Sequence, residues 1–257
     1  ELTVECREVG ALHEIPIRKL PCRVQKIERP AKDVTVLSLK LPANERLQFL
    51  AGQYIDILMQ DGKRRSFSLA NAPHDDEFLQ LHIRNYSGSF STFVFNELKE
   101  KAILRFEGPL GSFFLREDSD KPMIFMAGGT GFAPIKGILE HAFHKENERE
   151  MVLYWGVRAR EDLYMAELAD QWQREHKNFT FIPVLSDPLP EDKWQGRTGF
   201  VHQAILDDFD NLSGYQVYAC GAPVMVEAGH RAFTQTRKLP EDEFYSDPFT
   251  VSVDHTK

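Results

Sequence analysis

No stretch of this 257-residue chain is apolar for long enough to cross a bilayer, and no basic-then-apolar leader opens it. Neither membrane insertion nor a secretory signal is expected. Basic residues are in deficit: 31 Lys and Arg face 39 Asp and Glu, for a formal net charge of −8. A nucleic-acid-binding domain is ordinarily basic, so no nucleic-acid partner is expected. Cysteine is scarce. Cys6, Cys22 and Cys220 are odd in number and far apart, which excludes a disulfide framework and any recognisable metal spacing and suits a reducing cytoplasm. The Rossmann G-x-G-x-x-G and the P-loop lysine are also absent. There is no internal repeat and no low-complexity tract. The chain opens on Glu1 rather than Met, which fits a processed or truncated N-terminus.

What is present fits one large or two ordinary globular domains, with 42% hydrophobic and 27% charged residues. Residues 1–20 show no clean period and read as a linker or the remnant of an upstream domain. Residues 21–117 read as β structure. Leu79, Leu81 and Ile83 alternate on one face, and Asp33 to Leu41, Gln53 to Met59 and Ala102 to Phe106 carry strand signals. One helix interrupts them, with Phe90, Phe93, Val94 and Leu98 at helical spacing. After the charged connector Glu117-Asp118-Ser119-Asp120 the rhythm changes. Apolar runs at Met123–Ala127, Met151–Gly156, Phe179–Leu185 and Gln216–Cys220 alternate with helical stretches through residues 118–257. That is the pattern of a parallel sheet covered by helices.

Four segments carry chemistry. Met123 to Ala127 runs into Gly128-Gly129-Thr130-Gly131-Phe132-Ala133-Pro134, a buried strand, a tight turn and a helix start. Glycines admit a ligand to the backbone, and the new helix offers unpaired N–H groups to a phosphate. Arg65-Ser66-Phe67-Ser68 packs a cation, an aromatic and hydroxyls into one strand, suited to a flat ring with an anionic tail. Gly88-Ser89-Phe90-Ser91 opens a second helix, where Ser89 or Ser91 can also serve as N-cap. Tyr218-Ala219-Cys220-Gly221 ends a further strand. In an open α/β sheet ligands bind beyond the carboxyl ends of strands, so Gly128 and Cys220 are expected at that one edge.

In this order, Arg65-Ser66-Phe67-Ser68, Gly88-x-x-Ser91, Gly128-Gly129-Thr130-Gly131-x-Ala133-Pro134 and Cys220-Gly221-x-Pro223-x-Met225 resemble the ferredoxin–NADP reductase superfamily, from about Pro21 onward. The resemblance implies an antiparallel Greek-key flavin barrel (21–117) followed by an α/β parallel-sheet NAD(P) domain (118–257). It implies bound FAD, with FMN in some branches, and NADH or NADPH as hydride donor. By the same resemblance Arg65 contacts the flavin phosphate, Phe67 stacks on the ring and Ser68 sits near its N5, with Ser66 beside them. His82, Ile83, Arg84, Gly88, Ser89, Phe90 and Ser91 complete the flavin side. Gly129, Thr130, Gly131, Cys220 and Gly221 lie around the nicotinamide, and Ser68 and Cys220 are the expected catalytic pair. Phe67 stands where the family often has tyrosine, which keeps the stacking and removes a phenolic hydroxyl. Phe249, with Tyr245 second, is the candidate to cover the other ring face.

The leading stretch, Glu5 to Val9 and Ile17 to Val24, looks like the linker of CDP-6-deoxy-glucoseen reductase-type proteins, which carry a ferredoxin domain ahead of the barrel. The cysteines of such a cluster are not in this chain, so the acceptor is a redox partner protein or a missing ferredoxin domain. That likeness favours NADH, while Arg158 and Arg160 after Val157 offer cations for a 2′-phosphate and Glu161 and Asp162 favour a free ribose. The expected activity is hydride transfer from NAD(P)H to flavin and onward electron delivery. The alternatives are a free-flavin reductase and an electron-relay or regulatory subunit.

Overall fold

The computed structural model describes residues 15–249. The Glu5–Val9 part of the leading stretch, and Cys6 with it, lies outside them. Two six-stranded sheets account for the fold. The first is built from β1 (Arg18–Ala31), β2 (Val34–Lys40), β3 (Tyr54–Leu58), β4 (Arg64–Ser68), β5 (Leu79–Arg84) and β6 (Ile103–Leu110), with helix α1 (Ser89–Asn96) between the last two. Its order is β4-β3-β6-β1-β2-β5, antiparallel throughout. The two ends of that order meet through an antiparallel bridge from Leu69 to Leu81 and a 2.8 Å bond from the Ala70 N–H to the Gln80 carbonyl. The sheet therefore closes into a Greek-key barrel. Strand β1 begins inside the stretch read as linker. Its residues from Arg18 pair with β6, and alternation puts Leu20, Cys22 and Val24 inside. The sequence signal was weak because the outward positions mix charge with proline.

The second sheet comprises β7 (Met123–Gly128), β8 (Met151–Val157), β9 (Phe179–Leu185), β10 (Arg197–Thr198), β11 (Gln216–Gly221) and β12 (Phe244–Pro248). All its pairs are parallel, in the order β10-β9-β8-β7-β11-β12. Helices α2 (Phe132–His144) and α3 (Ala166–Glu175) cover one face, and α4 (Val201–Asp208) and α5 (Pro223–Thr236) the other. The central strands are apolar on both faces, as a doubly covered parallel sheet requires. The chain leaves β7 toward β8 on one side and returns as β11 on the other. The switch point of the topology thus falls between the ends of β7 and β11, where Cys220 is in register with Ala127.

Helix α2 joins the halves. Ile135, Ile138 and Leu139 belong to one apolar cluster with Ala51, Phe113 and Leu115 of the barrel half. Lys136, also buried, donates from Nζ to the Ala70 carbonyl (3.1 Å) and pairs with Glu140 (2.8 Å). Burial raises the Glu140 carboxyl above its ordinary range, and the adjacent Lys136 opposes this. Among the described residues no helix is long and apolar enough to cross a membrane, and no His, Cys, Asp and Glu cluster is placed to hold a metal ion.

Gly137 lies where α2 touches the barrel. A Cβ there would sit 2.9 Å from the Asn71 carbonyl oxygen and 3.1 Å from that of Leu69. Gly137→Ala should therefore force the halves apart and cost about 1–3 kcal/mol, read as a lowered unfolding midpoint in urea. An unchanged midpoint would show that the seam has slack.

Candidate active site at the seam of the two halves

A cleft of about 320 Å³ opens between the barrel and the carboxyl edge of the parallel sheet. Its volume is at the lower end for small-molecule sites, and it is lined by aromatic rings with a few convergent polar groups. The barrel wall is strand β4 along its whole length, Arg64 to Ser68, together with His82, Ile83 and Arg84 of β5. Gly88, Phe90 and Ser91 add the start of α1. The opposite wall is Thr130 and Ala133, at and just after the glycine bend, with Asp247, Pro248 and Phe249 at the end of β12.

Pairing explains the convergence. Strand β4 lies at the end of the sheet order, paired with β3, and all five of its residues line the cleft. Phe67 is half-buried against Phe90, ring centroids 5.2 Å apart. The Ser66 hydroxyl donates to Asp56 (2.6 Å), and Arg64 pairs with Glu107 (2.7 Å). The N-cap of α1 is Gly88 itself and not a serine. Ser91 instead donates its hydroxyl back to the Gly88 carbonyl (3.1 Å). The first turn of α1 holds no acidic residue, which leaves its positive end unopposed.

Several expected residues stand behind the wall. Gly131 packs against the Cys220 carbonyl so closely that no side chain fits, and Gly221 takes a φ of +144° beside Gly128. Both positions let β7 and β11 end side by side. Gly129 opens a short 3₁₀ turn, Gly129–Gly131, that precedes α2, and its carbonyl accepts the Trp155 indole N–H (2.9 Å). Cys220 is fully buried. Its thiol donates to the Asp247 carbonyl (3.2 Å), and burial pushes it well above the usual thiol range, so it is a poor thiolate. Ser89 begins α1 without lining the cleft. Arg158 lies away from the cleft, exposed and paired with Asp187 at 3.2 Å.

Asp247 is the main residue that motif reading missed. The Ser68 hydroxyl donates to its Oδ2 (3.3 Å) across the seam, and burial raises its carboxyl. An Asp-Pro pair near a chain end reads as a turn, so nothing in the sequence marked it. Tyr54 and Tyr86 also line the cleft unannounced; Tyr54 arrives by its pairing with Ser68, which only the register reveals. Tyr245, the second aromatic candidate, stacks instead on Tyr218 (5.0 Å). Phe249 reaches the cleft, held by a 2.8 Å bond from its N–H to the Gly221 carbonyl.

His82 is buried between the halves. Gln80 Oε1 can only accept, so His82 Nε2 carries the proton (3.3 Å) and Nδ1 accepts from the Tyr164 hydroxyl (2.9 Å). Burial, reinforced by the positive charge of Lys136, pushes the imidazole down to about 3.

Sequence comparison agrees with this division of labour. Residues 21–115 match the oxidoreductase FAD-binding domain, and residues 125–231 match the oxidoreductase NAD-binding domain. The chain is 43% identical over 242 residues to CDP-6-deoxy-L-threo-D-glycero-4-hexulose-3-dehydrase reductase of Yersinia pseudotuberculosis, covering 94% of this chain and 72% of that one. The chain belongs to the ferredoxin–NADP reductase superfamily. It is an NAD(P)H-dependent flavin oxidoreductase that binds FAD. Protein RfbI of Salmonella typhimurium is 44% identical over 91% of this chain and 69% of its own length. The solved Amycolatopsis cytochrome P450 reductase GcoB superposes with a TM-score of 0.85 at 36% identity, covering 93% of this chain and 72% of that one.

The neutral state of His82 has a consequence for stability. Its folded value is depressed, so the stability it contributes is complete above pH 6.5 and is lost as pH falls from there toward 3, because the unfolded chain takes up a proton that the folded site refuses. His82→Asn, whose amide oxygen can still accept from Tyr164, should flatten the acid limb of stability over that window. Urea midpoints measured across it check this, and identical acid limbs would refute it.

Proposed function

We propose that residues 21–117 hold FAD, that residues 118–257 present NADH to it, and that the chain passes electrons one at a time to an iron–sulfur centre in a cytoplasmic redox partner or ferredoxin domain. One observation carries this reading: the aromatic, cation-bearing strand β4 and the glycine bend after β7 face each other across a single cleft. The residues fit the group. Phe67 from the barrel and Phe249 from the sheet half supply apolar cover for a flat ring, and Arg65 with the bare start of α1 supplies charge for a pyrophosphate. The bound flavin supplies hydride acceptance and single-electron release.

The protein supplies alignment. Ser68 presents a hydroxyl at the cleft floor, oriented by Asp247. Cys220 acts from behind, because its bond to the Asp247 carbonyl fixes β12 and with it the carboxyl that holds Ser68. Thr130 and the backbone at Gly129 and Gly131 set where a nicotinamide rests, close to the packed ends of β7 and β11. The aromatic walls keep water from that place. The preference for NADH rests on the likeness to the CDP-6-deoxy-glucoseen reductase type, and the Asp187 carboxylate beside Arg158 adds a negative charge that opposes a 2′-phosphate. The partner reading rests on the name of the Yersinia relative, a reductase serving a dehydrase. The cytoplasmic reading rests on Cys22 and Cys220, both buried and unpaired.

The deciding experiment is an absorbance spectrum of the purified, FAD-loaded protein before and after NADH. Flavin bands that bleach support the reading, and bands that do not change overturn it. Phe67→Ala should release FAD on gel filtration. Cys220→Ala should retain FAD yet bleach roughly tenfold more slowly in stopped flow, since small misplacements are costly in hydride transfer. An unchanged bleaching rate removes Cys220 from the mechanism. Asp187→Asn should narrow the ratio of kcat/KM for NADH over NADPH, and a wild-type preference for NADPH would reverse the assignment.

A further inference from the structure

Arg84 ends strand β5 with its side chain largely buried between two carboxylates from different halves of the molecule. Nε lies 2.8 Å from Asp33 Oδ2, in the turn between β1 and β2. Nη2 lies 2.8 Å from Asp162 Oδ1, in the short turn that follows β8. The Nε contact is an ion pair whose N–H is not aimed at the oxygen. Nη1 has no hydrogen-bond partner among the described residues. It lies 2.9 Å from where a Cβ on Gly129 would stand, so it overhangs the bare backbone of the glycine bend. Arg84 also lines the cleft. Two carboxylates against one guanidinium leave this cluster with a net negative charge. The sequence neighbours of the two aspartates, Lys32 and Glu161, form an exposed pair at 3.9 Å and offset each other.

We propose that Asp33 and Asp162 set the affinity for the pyridine nucleotide, by holding Arg84 over the glycine bend inside a cluster of net negative charge. This rests on the functional reading above, in which the nicotinamide end of the dinucleotide rests at that bend and its diphosphate follows. The diphosphate of a nicotinamide dinucleotide is a dianion. As it approaches Nη1 it is attracted by one guanidinium and repelled by two carboxylates a few ångströms further away. Half-buried charges at such distances are screened less than surface ones. The carboxylates thus act in two ways. They hold the arginine in the orientation that leaves Nη1 open, and they weaken its grip, which keeps the oxidised nucleotide easy to release. Both aspartates are positioning residues, since they act through Arg84 and do not line the cleft.

Asp33→Asn separates charge from geometry. Among the described residues the only side-chain partner of Asp33 is Arg84, and an asparagine oxygen can still face Nε. Asp162 is less clean, because its second oxygen accepts the Ala159 N–H at 3.1 Å. The measurement is the Kd of NAD⁺ for the FAD-loaded protein, by calorimetric titration. Asp33→Asn should bind NAD⁺ roughly three- to tenfold more tightly, as expected for loss of one repulsive charge at this range. Asp162→Asn should shift Kd in the same direction and serves as the second variant should Asp33→Asn fail to fold. A purely structural role predicts the opposite, since loss of a support weakens binding. An unchanged or raised Kd overturns the proposal. A wild-type protein that neither binds NAD⁺ nor bleaches with NADH fails at the earlier step, and the functional reading falls with it.

Discussion

The packing of α2 against the barrel is the constraint on which the site depends. Every wall of the cleft is referred to it. The helix starts at the glycine bend, so the position of Thr130 and Ala133 follows from how α2 is seated. It is seated by apolar side chains from both halves and by a buried lysine that reaches the Ala70 carbonyl, just past the end of β4. Strand β4 carries the aromatic and cationic wall. One contact therefore fixes both sides of the cleft relative to each other, and three further polar contacts close the seam around it: Ser68 to Asp247, His82 to Tyr164 and Arg84 to Asp162. Hydride transfer between two cofactors tolerates little error in their separation, and a rigid seam is how a two-part protein limits that error.

Much of this was legible in the sequence. Strict alternation from Leu79 to Ile83 placed β5, and the apolar runs placed β7, β8, β9 and β11, because buried parallel strands must be apolar on both faces. The glycine bend was legible because few chain segments need a turn that tight between a strand and a helix. The motif strand β4 was legible by its residue types. What the sequence hid was everything fixed by tertiary register. Asp247 meets Ser68 from 179 residues away, and no local pattern marks a single carboxylate for that purpose. Strand β1 is 14 residues long, yet its exposed positions mask its period.

The roles of individual residues divide along the same line. Residues whose backbone sits at an element end, such as Gly88 and Thr130, line the cleft. Residues expected to touch ligand through their side chains fared less uniformly. Cys220 lies one layer beneath the surface, its thiol spent on the Asp247 carbonyl and its own carbonyl packed on Gly131. A motif records which residues are needed, and the need at Gly131 is for smallness. Tyr245 and Phe249 show the same ambiguity. Both are aromatic and close in sequence, but one is committed to the interior through Tyr218 and the other emerges at the end of β12.

The closing of the first sheet through Leu69 and Leu81 has a consequence for how the molecule meets others. A closed barrel presents no row of unpaired backbone groups at that join. The second sheet ends on one side in a strand of two residues, and on the other in one that finishes at a proline. Main-chain zippering with another protein thus has little template on either sheet. Encounters fall to side chains on curved, charged surfaces, which favours brief association and quick departure. A protein that hands electrons to a redox partner is served by contacts of that kind.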